Sequence, residues 1–326
     1  MKILFCGKGF KFAASILSRK IEEANKKLEG NNLELIFQDY STDLKSQLKD
    51  IKVLIPTMEE INDNVINNAP GLRLIQQFGV GLEGVDIPAA TKNEIYVANA
   101  KGTNGITVAE SAIFLMLALV KRLNKINESF KDKRLGFPVA NELYNKTLGI
   151  IGLGDSGKEL AKRARCFGMN IIAIKKTPKP ELKHELGLEF LGTSEDLDYI
   201  LKNADYISLH LPATEETINL LDEREFSLMN KKPFIINVAR GSIINKNALE
   251  NALKNNSISG VALDVFWEEP PDPNDSIYQF ENVITTPHIG GTSHESVGRI
   301  ADLVVHNILC VLNNQFKGLK NIQNSF

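Results

Sequence analysis

An apolar run that breaks at a glycine-rich turn and reopens as a helix limits this chain more than any other feature. TLGII (147–151) leads into Gly152, Leu153, Gly154, Asp155, Ser156 and Gly157, and then into KELAKRARCFG. A G-x-G-x-x-G between strand and helix is the turn of a βαβ unit that binds a dinucleotide. Gly152 allows the tight turn, Gly154 lets a pyrophosphate approach the backbone, and Gly157 packs helix on strand. The start of the helix that follows supplies free N–H groups and a positive end that attract phosphate. A glycine turn that only packs is the plainer alternative, and the flanking strand and helix weigh against it.

The same alternation runs along the whole sequence. Strand-like runs lie at Lys2–Cys6, Leu33–Phe37, Val53–Pro56, Leu72–Phe78 and Ile95–Ala98, with helical patterns between the first four. A helix over about 107–123 is apolar nearly all round in its middle and is therefore buried. Thr107 and Glu110 fit a capping box at its start. Residues 124–146 are polar, either a surface excursion or an arm that needs a partner. A second series has strands at Leu148–Gly152, Asn170–Ile174, Tyr206–His210, Phe234–Val238, Gly260–Val265 and Asn282–Thr286. Helices near 157–167, 194–203 and 246–255 separate them, and a last helix covers about 293–312. Such alternation implies α/β architecture with two doubly wound parallel-sheet domains. If the last helix packs on the first sheet, one domain comprises 1–105 plus 300–326, and a Rossmann domain, 106–299, is inserted in it.

Composition narrows the classes. Lys+Arg 38 against Asp+Glu 40 gives a net charge of −2, which speaks against a nucleic-acid or membrane surface. The longest apolar run, Ala112–Val120, is far short of the about 20 residues of a membrane span. The N-terminus has no apolar stretch of signal-peptide length, and the expectation is a cytoplasmic protein. Cys6, Cys166 and Cys310 are scattered, no metal-ligand spacing occurs, and no G-x-S-x-G elbow of a hydrolase is present.

A dinucleotide turn usually has Asp or Glu at the end of the next strand, to hold the ribose hydroxyl. Here NIIAI ends in Lys175, Lys176 and Thr177. Cations at that place suit a 2′-phosphate, which favours NADP(H), with NAD(H) as the alternative. Three further ionisable residues stand at carboxyl ends of strands, where ligands bind in such sheets: Arg240, Asp264 and His288. Glu269 lies in a proline-stiffened loop just beyond Asp264. Singly each could be structural. Together Arg, Glu and His are what hydride transfer to an oxoacid requires: a guanidinium for carboxylate and keto oxygen, an imidazolium to deliver the proton, and a carboxylate to orient it. His210 ends a strand before Leu211 and Pro212 and so borders the cofactor.

FGVGLEGVDIPAAT (78–91), TLGIIGLGDSG (147–157), LHLPATEET (209–217), INVARGSIIN (236–245), VALDVFWEEP (261–270) and TPHIGG (286–291) run in one order across almost the whole chain. In these segments the sequence resembles the D-isomer-specific 2-hydroxyacid dehydrogenases. The resemblance implies a flavodoxin-like substrate domain carrying the Rossmann domain. It implies Arg240 as the substrate-binding arginine, Glu269 as the partner of the catalytic histidine, and His288 as general acid/base. Backbone N–H groups near Val80 and Gly81 would hold the substrate carboxylate. Asp155, Ser156, Pro212, Thr217, Val238, Ala239, Asp264 and Gly290 would line the cofactor, with Thr107 close to it. Family members are typically homodimers, which would make 124–146 a dimer arm.

The expected reaction is reduction of a small 2-oxoacid such as glyoxylate or hydroxypyruvate. The alternatives are 3-phosphoglycerate oxidation, which needs extra cations near Val80 (Lys8 and Lys101 are candidates), and a dinucleotide-sensing, corepressor-like binding protein. The chain ends at Phe326 without room for the regulatory domain some phosphoglycerate dehydrogenases append, so feedback through it is not expected. Glu269, where formate dehydrogenases of the family carry Gln, disfavours formate oxidation.

Overall fold

Five short apolar runs in the N-terminal part of the chain pair into one parallel sheet. The computed structural model describes residues 1–7, 10–28 and 32–326, so Lys8 lies outside the described residues. The elements, in chain order, begin with β1 (Lys2–Phe5), α1 (Lys11–Asn25), β2 (Glu34–Phe37), β3 (Ile51–Ile55), α2 (Asp63–Asn67), β4 (Leu74–Gln76), α3 (Ile87–Lys92) and β5 (Tyr96–Ala98). The sheet order is β2-β1-β3-β4-β5, the flavodoxin-like winding. Ile3, Leu4, Val53, Leu54, Leu74 and Ile75 are wholly buried, as expected of central parallel strands covered on both faces. Helix α1 buries Ala13, Leu17 and Ile21, a four-residue spacing that puts them on one face. Between β2 and β3 there is only a 3₁₀ turn, Leu44–Gln47, where a helix was expected. Asp43 caps it by accepting the Lys45 N–H, and Leu48 and Ile51 follow at once as core residues, which leaves no length for a helix.

Next come α4 (Gly105–Val120), α5 (Leu123–Lys131), β6 (Thr147–Ile151), α6 (Asp155–Cys166), β7 (Asn170–Ile174), α7 (Glu181–Leu186) and β8 (Phe190–Gly192). They continue with α8 (Leu197–Asn203), β9 (Tyr206–Leu209), α9 (Glu223–Ser227), β10 (Phe234–Asn237), α10 (Lys246–Lys254), β11 (Gly260–Leu263) and β12 (Val283–Thr285). Here the order is β12-β11-β10-β9-β6-β7-β8, all parallel. The winding reverses between β6 and β9, which makes that crevice the switch point of a Rossmann sheet.

Three local expectations are corrected in this unit. The sheet has seven strands rather than six, because the three-residue edge strand β8 is too short to show a period. Helix α4 starts at Gly105, so Thr107 and Glu110 sit inside its first turns and form no capping box. A Cβ at residue 105 would come within 3.2 Å of the Asp155 backbone, so glycine brings the start of α4 against the start of α6. The polar segment after α4 opens with a regular helix, α5, tied down by Arg122 and Lys125 on Glu281 at 3.2 and 2.5 Å. As expected, α4 is buried, through Ala109, Ala112, Leu115, Met116 and Leu119.

The last helix, α11 (His294–Leu312), is capped by Ser293 and packs along α1. Its buried Asn307 donates to Oε1 of the buried Gln76 at 2.7 Å, which fastens the chain's end to β4. The chain thus divides into Met1–Asn104 with Ser293–Phe326, and Gly105–Thr292. Helix α11 belongs whole to the first unit, so the second crossing falls at Thr292/Ser293 rather than near 300.

Candidate active site

The glycine turn follows β6 and is built as a cradle. Gly152 has φ +101°, a conformation that favours glycine, and a Cβ there would meet His210 O at 2.4 Å. A Cβ on Gly157 would meet Gly152 O at 2.3 Å, so helix and strand touch by backbone. Gly154 differs: a Cβ there would meet nothing within 4 Å, and its backbone is extended. The fold itself does not need glycine at 154, whereas a phosphate approaching the start of α6 does. These residues fit a dinucleotide.

At the end of β7, Lys175 Nζ donates to Leu153 O at 3.2 Å, so its ammonium is held over the glycine turn. Lys176 instead pairs with Glu216 at 2.7 Å, both well exposed. Thr177 is exposed beside it. In the loop after β9, Thr217 Oγ1 donates to Pro212 O at 2.7 Å and accepts from Thr214 N at 2.8 Å. Thr217 thereby shapes the loop that Pro212 opens. Thr107 is buried in α4.

Beyond β10, Val238 and Ala239 are buried and Arg240 is extended. The wholly buried Asn237 holds that turn from both sides: its Nδ2 donates to Arg240 O at 2.8 Å and its Oδ1 accepts Ala239 N–H at 3.1 Å. Arg240 Nη1 donates to Ala239 O at 2.6 Å. A Cβ on Gly241 would lie 2.1 Å from Phe266 O, so only glycine lets this turn reach the loop after β11.

That loop carries Glu269, and the loop after β12 carries His288. His288 Nδ1 and Glu269 Oε2 are 2.6 Å apart, and Glu269 Oε1 accepts Phe266 N–H at 3.1 Å. The hydrogen bond to Glu269 holds the His288 pKa above its ordinary value, helped by the charges of Glu269 and Asp264 and opposed by burial and Arg240. Burial pushes Glu269 up, but the His288 bond and charge, the Phe266 N–H and Arg240 together bring it below the usual carboxylate range. His288 has φ +53°, an unusual value for a non-glycine residue.

Asp264 explains how that backbone is kept. Its carboxylate is buried and accepts Thr286 Oγ1 at 2.7 Å, Ile289 N–H at 2.9 Å and Gly290 N–H at 2.7 Å. Burial raises its pKa, and those bonds and His288 oppose the rise. Asp264 and Gly290, expected against the cofactor, thus bond each other around His288.

Arg240, Glu269 and His288 come together at the carboxyl ends of β10, β11 and β12. Val80 and Gly81 lie in the other unit, in the loop after β4, where Asn99 Nδ2 donates to Val80 O at 2.9 Å. Sequence reasoning missed Asn237, Gly241 and the pairing of Lys176 with Glu216. The N and G of NVARG were in view, but the period of a strand says nothing about a turn's partners. Among the described residues no group of three or more His, Cys, Asp or Glu could hold a metal ion, and no helix is long and apolar enough to cross a membrane.

Residues 113–290 match the family profile described as D-isomer specific 2-hydroxyacid dehydrogenase, NAD binding domain. The chain is 37% identical over 276 residues to a glyoxylate reductase of Thermococcus litoralis, covering 82% of each. It is 37% identical over 278 residues to a D-3-phosphoglycerate dehydrogenase of Methanocaldococcus jannaschii, covering 84% of this chain and 52% of that protein. Among solved structures, D-lactate dehydrogenase from Aquifex aeolicus complexed with NAD and lactic acid superposes with a TM-score of 0.85 at 28% identity, covering 99% of this chain and 100% of that one.

Proposed function

Because this chain belongs to the D-isomer-specific 2-hydroxyacid dehydrogenase family and is an NAD(P)-dependent enzyme of that class, we propose that it reduces a small 2-oxoacid, glyoxylate or hydroxypyruvate, to the D-2-hydroxyacid. The observation that carries this reading is the 2.6 Å His288–Glu269 pair beside Arg240. The reduced nicotinamide supplies the hydride. Arg240 holds the substrate carboxylate and polarises its keto oxygen through two parallel donors. His288, kept protonated by Glu269, gives its Nε2 proton to that oxygen as charge develops there. In the oxidative direction neutral His288 takes the hydroxyl proton back.

The substrate is favoured by relatives: the proteins from Thermococcus litoralis, Korarchaeum cryptofilum and Thermococcus gammatolerans similar to this chain are glyoxylate reductases. A second reading, 3-phosphoglycerate oxidation, is supported by the similarity to the M. jannaschii enzyme. For the cofactor, Lys175 over the glycine turn supports NADPH over NADH. In this reading Gly105–Thr292 holds the dinucleotide, with Gly152 to Gly157 on the pyrophosphate and Val238, Ala239 and Thr107 beside it. Exposed Phe130, Leu135 and Val139 support a homodimer formed through the segment after α4. A panel of 2-oxoacids and 3-phosphoglycerate, each with both cofactors, tests the proposal. Turnover of glyoxylate or hydroxypyruvate above the rest is expected. Dinucleotide binding without turnover of any of them would favour a sensor instead.

A further inference from the structure

His210 does not belong to the reacting group, yet it stands at the switch point between β6 and β9, under the glycine turn. Its ring is held on both sides. Nδ1 lies 2.9 Å from Ser156 Oγ, at the start of α6, and Nε2 lies 2.9 Å from Ser208 Oγ, inside β9. Ser208 is wholly buried, and His210 is the one hydrogen-bond partner of its hydroxyl among the described residues.

That burial fixes the direction of the chain of bonds. A buried hydroxyl proton left without an acceptor is costly, so Ser208 must donate and Nε2 must accept. A neutral imidazole with Nε2 accepting carries its proton on Nδ1, which therefore donates to Ser156 Oγ. The Ser156 proton is then left to point away from the ring, at the mouth of the turn where phosphate approaches. Burial lowers the His210 pKa to about 4, so the ring stays neutral near pH 7 and brings no charge to the turn.

We propose that His210 is a positioning residue for the dinucleotide: through buried Ser208 it is locked as the Nδ1–H tautomer, and it presents the Ser156 hydroxyl as a donor to the cofactor's pyrophosphate. The proposal rests on the reading that the glycine turn holds the pyrophosphate. Because that group is common to both cofactors, the contribution is the same for NADH and NADPH, unlike that of Lys175.

The test is binding, measured by calorimetry with NADH and NADPH on the full chain, with folding checked by Tm. A hydrogen bond to a charged group is worth roughly tenfold or more in Kd. Ser156→Ala, which removes the hydroxyl and leaves His210 Nδ1–H without its acceptor, should weaken both cofactors by about that factor. His210→Phe should do the same, and adding it to Ser156→Ala should cost nothing more. His210→Asn, whose amide nitrogen can stand in for Nδ1–H, should recover most of the loss. Long-range ¹H–¹⁵N spectra of the wild-type protein should show His210 as the Nδ1–H tautomer. Unchanged affinity in Ser156→Ala, additive losses in the double variant, or an Nε2–H tautomer would each overturn the proposal. Should His210→Phe fail to fold, Ser156→Ala and the spectra decide. Gly154→Val separates the underlying reading: it should abolish binding of both cofactors, and intact binding there would overturn the site rather than the relay alone.

Discussion

His288 and Glu269 stand in different loops, after β12 and β11, yet their side chains meet at 2.6 Å with the other Glu269 oxygen fixed by the Phe266 N–H. The pair raises the histidine pKa and lowers that of the carboxylate, so each stabilises the charged form of the other.

Oxoacid reduction requires imidazolium, so kcat/KM should fall as pH rises through the raised His288 pKa. Glu269→Gln removes the charge that favours imidazolium, and the falling limb should move to lower pH. Profiles of kcat/KM for both proteins check this; an unmoved limb with proton transfer limiting the rate would rule out the pairing as its cause.

Lys175 and Lys176 are adjacent but differently engaged. Lys175 is held at the glycine turn, whereas Lys176 is paired with Glu216 in the open. NADPH should be preferred by about tenfold or more, the worth of one hydrogen bond to a charged group. Lys175→Asp should reverse the preference by repelling the phosphate and offering a ribose acceptor. Lys176→Ala should change it by less, since an exposed ion pair is worth about 1 kcal/mol or below. The ratio of kcat/KM values for the two cofactors is the readout, and a wild-type preference for NADH would contradict the assignment.

Asp264 keeps His288 in its left-handed backbone by accepting three hydrogen bonds from Thr286, Ile289 and Gly290. Asp264→Ala should cost about 1–3 kcal/mol of stability for each group left buried and unpaired. It should also lower kcat severely, because a misplacement of about 1 Å in a reacting group costs on the order of 10²-fold. Urea denaturation and kcat would be measured together; a normal kcat would mean that the loop holds without it.

The segment after α4 leaves Phe130, Leu135 and Val139 largely exposed, at 86%, 99% and 77%. The proposed homodimer would cover them. Leu135→Asp with Val139→Asp should shift sedimentation from dimer to monomer. A wild-type protein that sediments as a monomer would remove the arm's proposed role.

The sequence made the parallel sheets legible because buried strands are continuous apolar runs bounded by glycine and polar turns, as TLGII and FIIN are. It also brought Arg240, Glu269 and His288 to one edge, since each follows a strand directly or nearly so. What it could not supply were partners far apart in the chain. Ser156 and His210 are separated by 54 residues, and nothing in either segment announces the other. The helix α5 was hidden because LNKINESFK is mostly polar and keeps Ile126 and Phe130 exposed rather than in a core. The start of α4 was misplaced because Gly105 is chosen for its contact with Asp155, a tertiary demand that outweighs the capping pattern two residues later.

If His288 moves the proton in this reaction, its replacement must slow the chemical step and spare cofactor binding. The direct measurement is steady-state reduction of glyoxylate by His288→Gln, alongside the dissociation constant of the reduced cofactor. The kcat should be lower by about 10²–10⁴, the usual worth of a general acid, with cofactor affinity essentially kept. A variant that turns over glyoxylate near the wild-type rate would contradict it.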